Sequence, residues 1–220
     1  MRFELARKIE EALSERISTV AYCKLVNLRN SVRGKQHRLV TAVGEDPSIH
    51  IASDGVDSIH ICRRGRHNRY KRGLMAGVDR LAQAYSLDLI EDLRDGVFID
   101  CGANVGELGF WARKRGFNYI PFEPEVLESR CVDLNHFDGE ARCVRMALWN
   151  EESVLKFYTR ADSADSSLLA GAGEEAAVTV NATKLDTALD LSEATGPVIF
   201  KVEAEGAEPE VLAHIPQVRR

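Results

Sequence analysis

The 220-residue chain has no run of 18 apolar residues, and its opening stretch, MRFELARKIEEALSERI, is charged throughout. Neither a membrane-crossing helix nor the apolar centre of a signal peptide is written there, so the expectation is a cytoplasmic protein. Five cysteines (Cys23, Cys62, Cys101, Cys131 and Cys143) form no C-x-x-C pair. An odd, scattered set supports neither a disulfide framework nor a cysteine zinc site, and no metal site is expected. The phosphate-binding pattern G-x-x-x-x-G-K-[ST] is absent, which leaves nucleoside triphosphate hydrolysis without support. Apolar residues at 45% and charged residues at 29% are the proportions of a globular rather than a disordered chain.

What is present centres on VFIDCGANVG, residues 97–106. Val97, Phe98 and Ile99 are an apolar, β-favouring run that Asp100 ends. Gly102 and Gly106 bracket a tight turn, and GELGFWARKRG then takes up a helical period. Such a junction presents backbone N–H groups and a helix N-terminus where ligands bind in open α/β sheets. Counting from Gly102, the second and third positions of a dinucleotide fingerprint are Asn104 and Glu107, and a carboxylate there opposes a pyrophosphate. The sequence therefore argues against NAD. An adenosine with a ribose and a zwitterionic tail fits better, and S-adenosylmethionine is the candidate, with Glu123 after the next strand (118–122) placed to meet the nucleoside from the other side. The plainer reading of the stretch is a buried strand and turn.

The net charge of −5 conceals an asymmetry: residues 1–94 carry 17 Lys or Arg against 12 Asp or Glu, and residues 95–220 carry 12 against 22. Two parts are expected, a basic N-terminal helical and β extension (1–94) that covers the substrate side, and a cofactor-binding domain (95–220). Phe3, Leu5, Ile9, Leu13, Ile17, Val20 and Leu25 predict a long amphipathic helix over 3–29. Three short strands follow between 38 and 62, with His50 and His60 on the face opposite the isoleucines. RRGRHNRYKR (63–72) has six basic residues and no acid; a solvated face, the lining of an anionic substrate cleft and a nucleic-acid surface all remain open. A helix is expected over 74–93, then a helix over 126–135, strands over 141–149, 153–159, 177–181 and 198–202, and a lid or loop over 161–176. Glu203 and Glu205 stand at the end of the last strand, and a helix starts near Ala207. A doubly wound sheet normally continues beyond such a helix, so the expectation is either that C-terminal strands are missing or that the sheet is an unusually small one. Cys101 reads as a small residue at a strand end rather than a nucleophile.

FIDCGANVGELG (98–109), PFEPE (121–125), RMALWN (145–150), SSLL (166–169), TKLDTAL (183–189) and FKVEAEGAEPEVL (200–212) together resemble the FkbM-type S-adenosylmethionine-dependent methyltransferases. The resemblance implies a class I methyltransferase-like fold, a mostly parallel sheet with helices on both faces. It implies that Asp100, Gly102, Asn104 and Gly106 form the cofactor loop, that Glu123 binds the ribose hydroxyls, and that Ala147 and Leu148 lie near the adenine. Lys201, Glu203, Glu205 and Gly206 match the family's K-I-D-V-E-G block, with Val202, Glu203 and Ala204 as departures. The implied activity is O-methylation of a hydroxyl on a glycan or small metabolite. Glu203 is the first candidate for removing the hydroxyl proton and Glu205 the second, against a helix-capping role, with Lys201 pairing one of these acids. Lys184 and Asp186 shape the same rim or form a surface turn. The alternatives are a nucleic-acid or protein methyltransferase that uses 63–72, and a non-catalytic cofactor-binding module.

Overall fold

The computed structural model describes residues 17–36, 38–43, 46–90, 95–159, 176–191, 194, 196–204 and 208–212. Most of the predicted first helix, residues 161–175 of the predicted lid segment and residues 205–207, including Glu205 and Gly206, lie outside the described residues. The chain divides into two compact units, Met1–Arg80 and Leu81–Arg220.

In the first unit, α1 (Thr19–Val32) begins at Ser18, whose Oγ accepts the Ala21 N–H at 3.2 Å, a cap for an otherwise unpaired donor. The inward side is Tyr22, Cys23, Val26 and Asn30, whereas Val20 and Leu25, assigned to the apolar stripe from sequence, are 54% and 53% exposed. A polar contact accompanies this orientation. Asn27 grips the Leu39 backbone, its Nδ2 donating to the carbonyl at 2.9 Å and its Oδ1 accepting the N–H at 2.6 Å. Strands β1 (Val40–Val43), β2 (His50–Ser53) and β3 (Ser58–Ile61) form an antiparallel meander. Its register sets His50 opposite Ile61 and Ile51 opposite His60. Directly paired residues share a face, so the two histidines point to opposite sides of the sheet and each sits beside an isoleucine. Alternation within one strand does not fix the register across the turn.

The basic stretch folds as a 3₁₀ turn, Arg64–Tyr70, with Arg66, His67 and Tyr70 buried. Tyr22 donates its hydroxyl to Asn68 Oδ1. Arg66, His67 and Tyr70 are thus spent on the unit's own interior. Helix α2 (Leu74–Ala84) follows and stops short of the predicted Leu93, because Ser86 adopts a left-handed φ of 57° before a 3₁₀ turn at Leu87–Leu89.

The second unit is a mixed sheet flanked by helices. Its elements are β4 (Val97–Cys101), α3 (Glu107–Lys114), β5 (Asn118–Phe122), α4 (Val126–His136), β6 (Ala147–Leu148), β7 (Ser153–Thr159), β8 (Ala176–Thr183), α5 (Leu185–Ala188), β9 (Val198–Val202) and α6 (Glu208–Leu212). β5, β4 and β9 are parallel with β4 central, while β8 pairs parallel with β6 and antiparallel with β7. An isolated parallel bridge pairs Phe122, at the end of β5, with Val144, three residues before β6. The strand expected over 141–149 is reduced to this bridge and β6, because the Met146 N–H turns back to the Val144 carbonyl at 2.9 Å.

All five residues of β4 are buried, as expected for a parallel strand covered on both faces. On one face Phe98 meets Trp111, Phe117 and Tyr119 at centroid distances of 5.7, 6.4 and 6.2 Å. On the other, Val97, Ile99 and Cys101 pack with Phe122, Leu148, Leu185 and Val211. Each large aromatic deleted from such a core costs about 3–5 kcal/mol. The result is a rigid base under the carboxyl end of β4.

Candidate functional site

The chain runs from β4 to β5 on one side, and β9 is later added on the other. A strand order that reverses at β4 leaves a crevice beyond its carboxyl end, which is where open α/β sheets take ligands. The turn 102–106 occupies that position, with Gly102, Asn104 and Gly106 at φ of 74°, 52° and 80°. Two of these are glycines for steric reasons as well. A Cβ on Gly102 would stand 2.2 Å from the Glu203 carbonyl oxygen, and one on Gly106 would stand 2.8 Å from His136 Nε2.

The turn is tied down from several directions. The N–H groups of Gly102 and Ala103 both donate to the Phe122 carbonyl at 3.0 Å. Asn135 Nδ2 donates to Val105 O at 2.8 Å, and His136 Nε2 lies 2.7 Å from Gly106 O. Only a protonated Nε2 can donate there, so the ring's tautomer is set by the loop. His136 is wedged against Phe110 and Tyr119, and burial lowers its pKa to about 4, against the raising effect of the Gly106 bond.

Glu123, one residue past β5, folds back onto this turn. Its Oε2 accepts the Asn104 N–H at 2.7 Å and its Oε1 the Glu125 N–H at 2.9 Å. Burial pushes its carboxyl up to about 8, although both N–H donors pull the other way. Beside it, Asn104 Oδ1 is buried with no hydrogen-bond partner among the described residues. An unused acceptor in a buried position is a cost unless a donor arrives.

On the β9 side, the Lys201 ammonium is the centre of a second cluster. It lies 3.0 Å from Asp100 Oδ1 and 3.3 Å from Glu203 Oε2, and it donates to the carbonyls of Cys101 at 3.0 Å and Gly102 at 2.9 Å. Burial alone would lower the lysine's pKa, but the charges of Asp100 and Glu203 outweigh it and hold the ammonium protonated. Asp100 also accepts the Tyr119 hydroxyl at 2.9 Å. Both members of the Asp100–Lys201 pair are sealed, at 1% and 4% side-chain exposure, whereas Glu203 is 50% exposed. Of the catalytic candidates, Lys201 therefore braces the loop, and Glu203 is the described group that faces outward. Cys101 is buried, and desolvation raises its thiol pKa to about 12, which keeps it a neutral packing group.

Sequence reasoning brought Asp100, Gly102, Asn104, Gly106, Glu123, Lys201 and Glu203 to one end of the sheet, and the structure gathers them there. Ala147 and Leu148 are buried in β6 on opposite faces, Leu148 in the core beneath Cys101 and Phe122, and Ala147 against Val180 and Ala182. Glu205 lies outside the described residues. Three supporting residues had not been singled out: Tyr119, Asn135 and His136. Tyr119 had a readable signal, since a tyrosine in a buried strand needs a hydroxyl partner; the other two depend on contacts distant in sequence. A separate cavity of about 420 Å³, lined by Arg113, Phe117, Tyr119, His136, Phe137 and Arg142 among others, opens near the start of β5. Its arginines are engaged internally, Arg113 by the His136 carbonyl and Arg142 by Glu140.

Fold and site together define an α/β domain of enzyme-like architecture, compatible with holding a nucleotide or a nucleotide-bearing cofactor. Compared with family models, curated proteins and solved structures, the chain matches none.

Proposed function

We propose that the chain is an S-adenosylmethionine-dependent methyltransferase of the FkbM type, acting on a hydroxyl of a glycan or small metabolite. The observation that carries the reading is the 2.7 Å bond from Asn104 N–H to Glu123 Oε2. It sets an acid from the end of one strand side by side with the glycine turn from the end of its neighbour, so that a nucleoside lying over the turn meets the carboxylate at its edge. The strand order at the turn, with β5 and the Val144 bridge on one side of β4 and β9 on the other, agrees with a class I methyltransferase sheet.

The residues fit this cofactor. Asn104 Oδ1, buried and unpartnered among the described residues, suits the ammonium of an amino-acid tail, and Glu123 suits the ribose hydroxyls. When bound, the cofactor supplies an electrophilic methyl group on sulfur. The protein's own task is then to hold donor and acceptor in line and to exclude water. Glu203, half-exposed at the rim of the same turn, takes the acceptor hydroxyl's proton on a carboxylate oxygen. Lys201 and Asp100 fix the backbone on which it stands.

Calorimetric titration with S-adenosylmethionine or its demethylated product tests the reading. Binding in the micromolar range is expected, with Glu123→Ala weaker by at least about tenfold, a loss of roughly 1.4 kcal/mol. Absence of binding by the intact chain rejects the proposal. Glu203→Gln should lower turnover far more than cofactor affinity.

A further inference from the structure

The cavity of about 420 Å³ bounded by the ends of α3 and α4 lies apart from the glycine turn. It opens at Asn118, the first residue of β5, whereas Glu123 follows the last. The strand between them spans about 13 Å, at about 3.3 Å per residue. The cavity has the size of a small-molecule site, roughly 300–1,000 Å³. The buried side chains of Phe117, Tyr119 and His136 form its inner wall, and the exposed Arg113, Asp138, Glu140 and Arg142 form its mouth. We propose that this cavity is a second ligand site, for a zwitterionic amino acid with a flat aromatic side chain, and that its occupant is felt at the glycine turn through His136. Neither part needs the methyl-transfer reading.

The charges at the mouth name the ligand. Arg142 Nε and Glu140 Oε2 are paired at 3.2 Å, and the Arg142 guanidinium also lies 5.9 Å from the centre of the Phe137 ring, so these two charges answer each other. Arg113 gives one N–H to the His136 carbonyl. A guanidinium has five such donors, and among the described residues nothing accepts the others. The Asp138 carboxylate, on a left-handed backbone position with φ of 54°, likewise meets no donor there. His136 adds no charge at neutral pH, because burial lowers its pKa to about 4. One cation and one anion thus stand unspent on a single cavity. A simple anion drawn to Arg113 is opposed by Asp138, and a simple cation drawn to Asp138 is opposed by Arg113. A ligand carrying both signs satisfies each with a charge-assisted bond. The rings behind them give a flat apolar body a surface to pack on as it leaves water.

His136 belongs to both places. Its ring lines the cavity while Nε2 lies 2.7 Å from Gly106 O. It is packed edge-on against Phe110 and Tyr119, at centroid distances of 4.7 and 5.0 Å, and a Cβ on Gly109 would stand 2.5 Å from Nε2. A ring so confined passes any displacement from the cavity side to the Gly106 peptide.

NMR titration of the full chain with L-phenylalanine, L-tyrosine and L-tryptophan in turn tests the site. At least one should bind with a Kd below about 1 mM. The imidazole ¹⁵N signals of His136, identified by their loss in His136→Phe, should shift, and with them the amide of Glu107, which shares its peptide with the Gly106 carbonyl. For the tightest of the three, the corresponding arylpropanoate lacks the ammonium, the arylethylamine lacks the carboxylate and L-alanine lacks the ring; each should bind at least about tenfold more weakly. Arg113→Gln and Asp138→Asn should each cause a similar loss and unfold at the wild-type urea midpoint, since both side chains are exposed and asparagine accepts the left-handed φ. No binding up to about 10 mM overturns the inference. So does equal affinity for the acid or the amine alone, and so does binding that leaves His136 unmoved or survives both substitutions. A shifted His136 beside an unmoved Glu107 amide overturns the link to the turn.

Discussion

Replacing Lys201 with methionine keeps the length and much of the volume of the side chain and removes the ammonium. In the folded chain the 3.0 Å separation from Asp100 Oδ1 corresponds to an attraction of about 5–6 kcal/mol at an effective dielectric near 20. Desolvating the ammonium and the carboxylate offsets most of that, at several kcal/mol for each ion, so the intact pair is worth little net. Removing one partner is a different matter. Asp100, at 1% exposure, would retain its charge with only the Tyr119 hydroxyl to answer it, and the carbonyls of Cys101 and Gly102 would each lose a donor. The expected loss is about 3–5 kcal/mol, or a fall in Tm of roughly 10 °C for a unit of this size. The Glu203 arm contributes little, because that carboxylate is half-exposed and screened. Both tryptophans, Trp111 and Trp149, lie in the second unit, so urea unfolding followed by tryptophan fluorescence reads that unit alone. Asp100→Asn combined with Lys201→Met removes the stranded charge and should recover at least about 2 kcal/mol of the single variant's loss. A Lys201→Met chain within about 1 kcal/mol of wild type, or a double variant as unstable as the sum of its singles, would refute the reasoning.

Glu123 titrates at about 8 in the folded chain against 4.5 in the open one, so its contribution to stability is complete below pH 4.5 and drains away as pH rises through 8. Glu123→Gln should abolish that decline, worth a few kcal/mol, in urea unfolding at pH 5 and pH 8.5. Ribose hydroxyls favour the ionised carboxylate, so binding of the nucleoside at pH 7 should release close to one proton, read from calorimetry in buffers of different ionisation enthalpy. His136 has the opposite dependence: its folded pKa near 4 leaves stability complete above about 6.5 and reduces it as pH falls towards 4. The loss should reach about 3 kcal/mol and should vanish in His136→Phe, at the expense of the Gly106 bond. Gly102→Ala and Gly116→Ala share a left-handed φ, at +74° and +80°, but a Cβ at 102 meets backbone at 2.2 Å whereas one at 116 meets nothing within 4 Å. The first should cost more than about 3 kcal/mol and weaken cofactor binding, the second only about 1 kcal/mol.

What could be read ahead of the structure was what is local in the chain. Val97–Ile99 followed by Gly102 and Gly106 announces a strand and turn because β-favouring apolar residues and glycines act within a few positions of themselves. Asn118–Phe122, Ser153–Thr159 and Val198–Val202 were found with their ends for the same reason. The misreadings came from choices made by distant partners. The face α1 buries is that of Tyr22, Cys23 and Val26, beside the Asn27 grip on Leu39, and not that of Val20 and Leu25. The faces of His50 and His60 followed from a register that alternation cannot supply. The site repeats the pattern. Asp100, Glu123 and Glu203 advertised themselves by standing at strand ends, whereas Asn135 looked like the last position of a helix. His136 gave no sign, because its role exists only once α4 lies under Gly106.

The most direct measurement of the central claim is a crystal structure grown with the demethylated cofactor. Density for the ribose against Glu123, with the amino-acid tail beside Asn104, is the predicted result. A nucleoside seated elsewhere, such as in the cavity between Arg113 and Arg142, or a glycine turn left bare at saturating ligand, would contradict it.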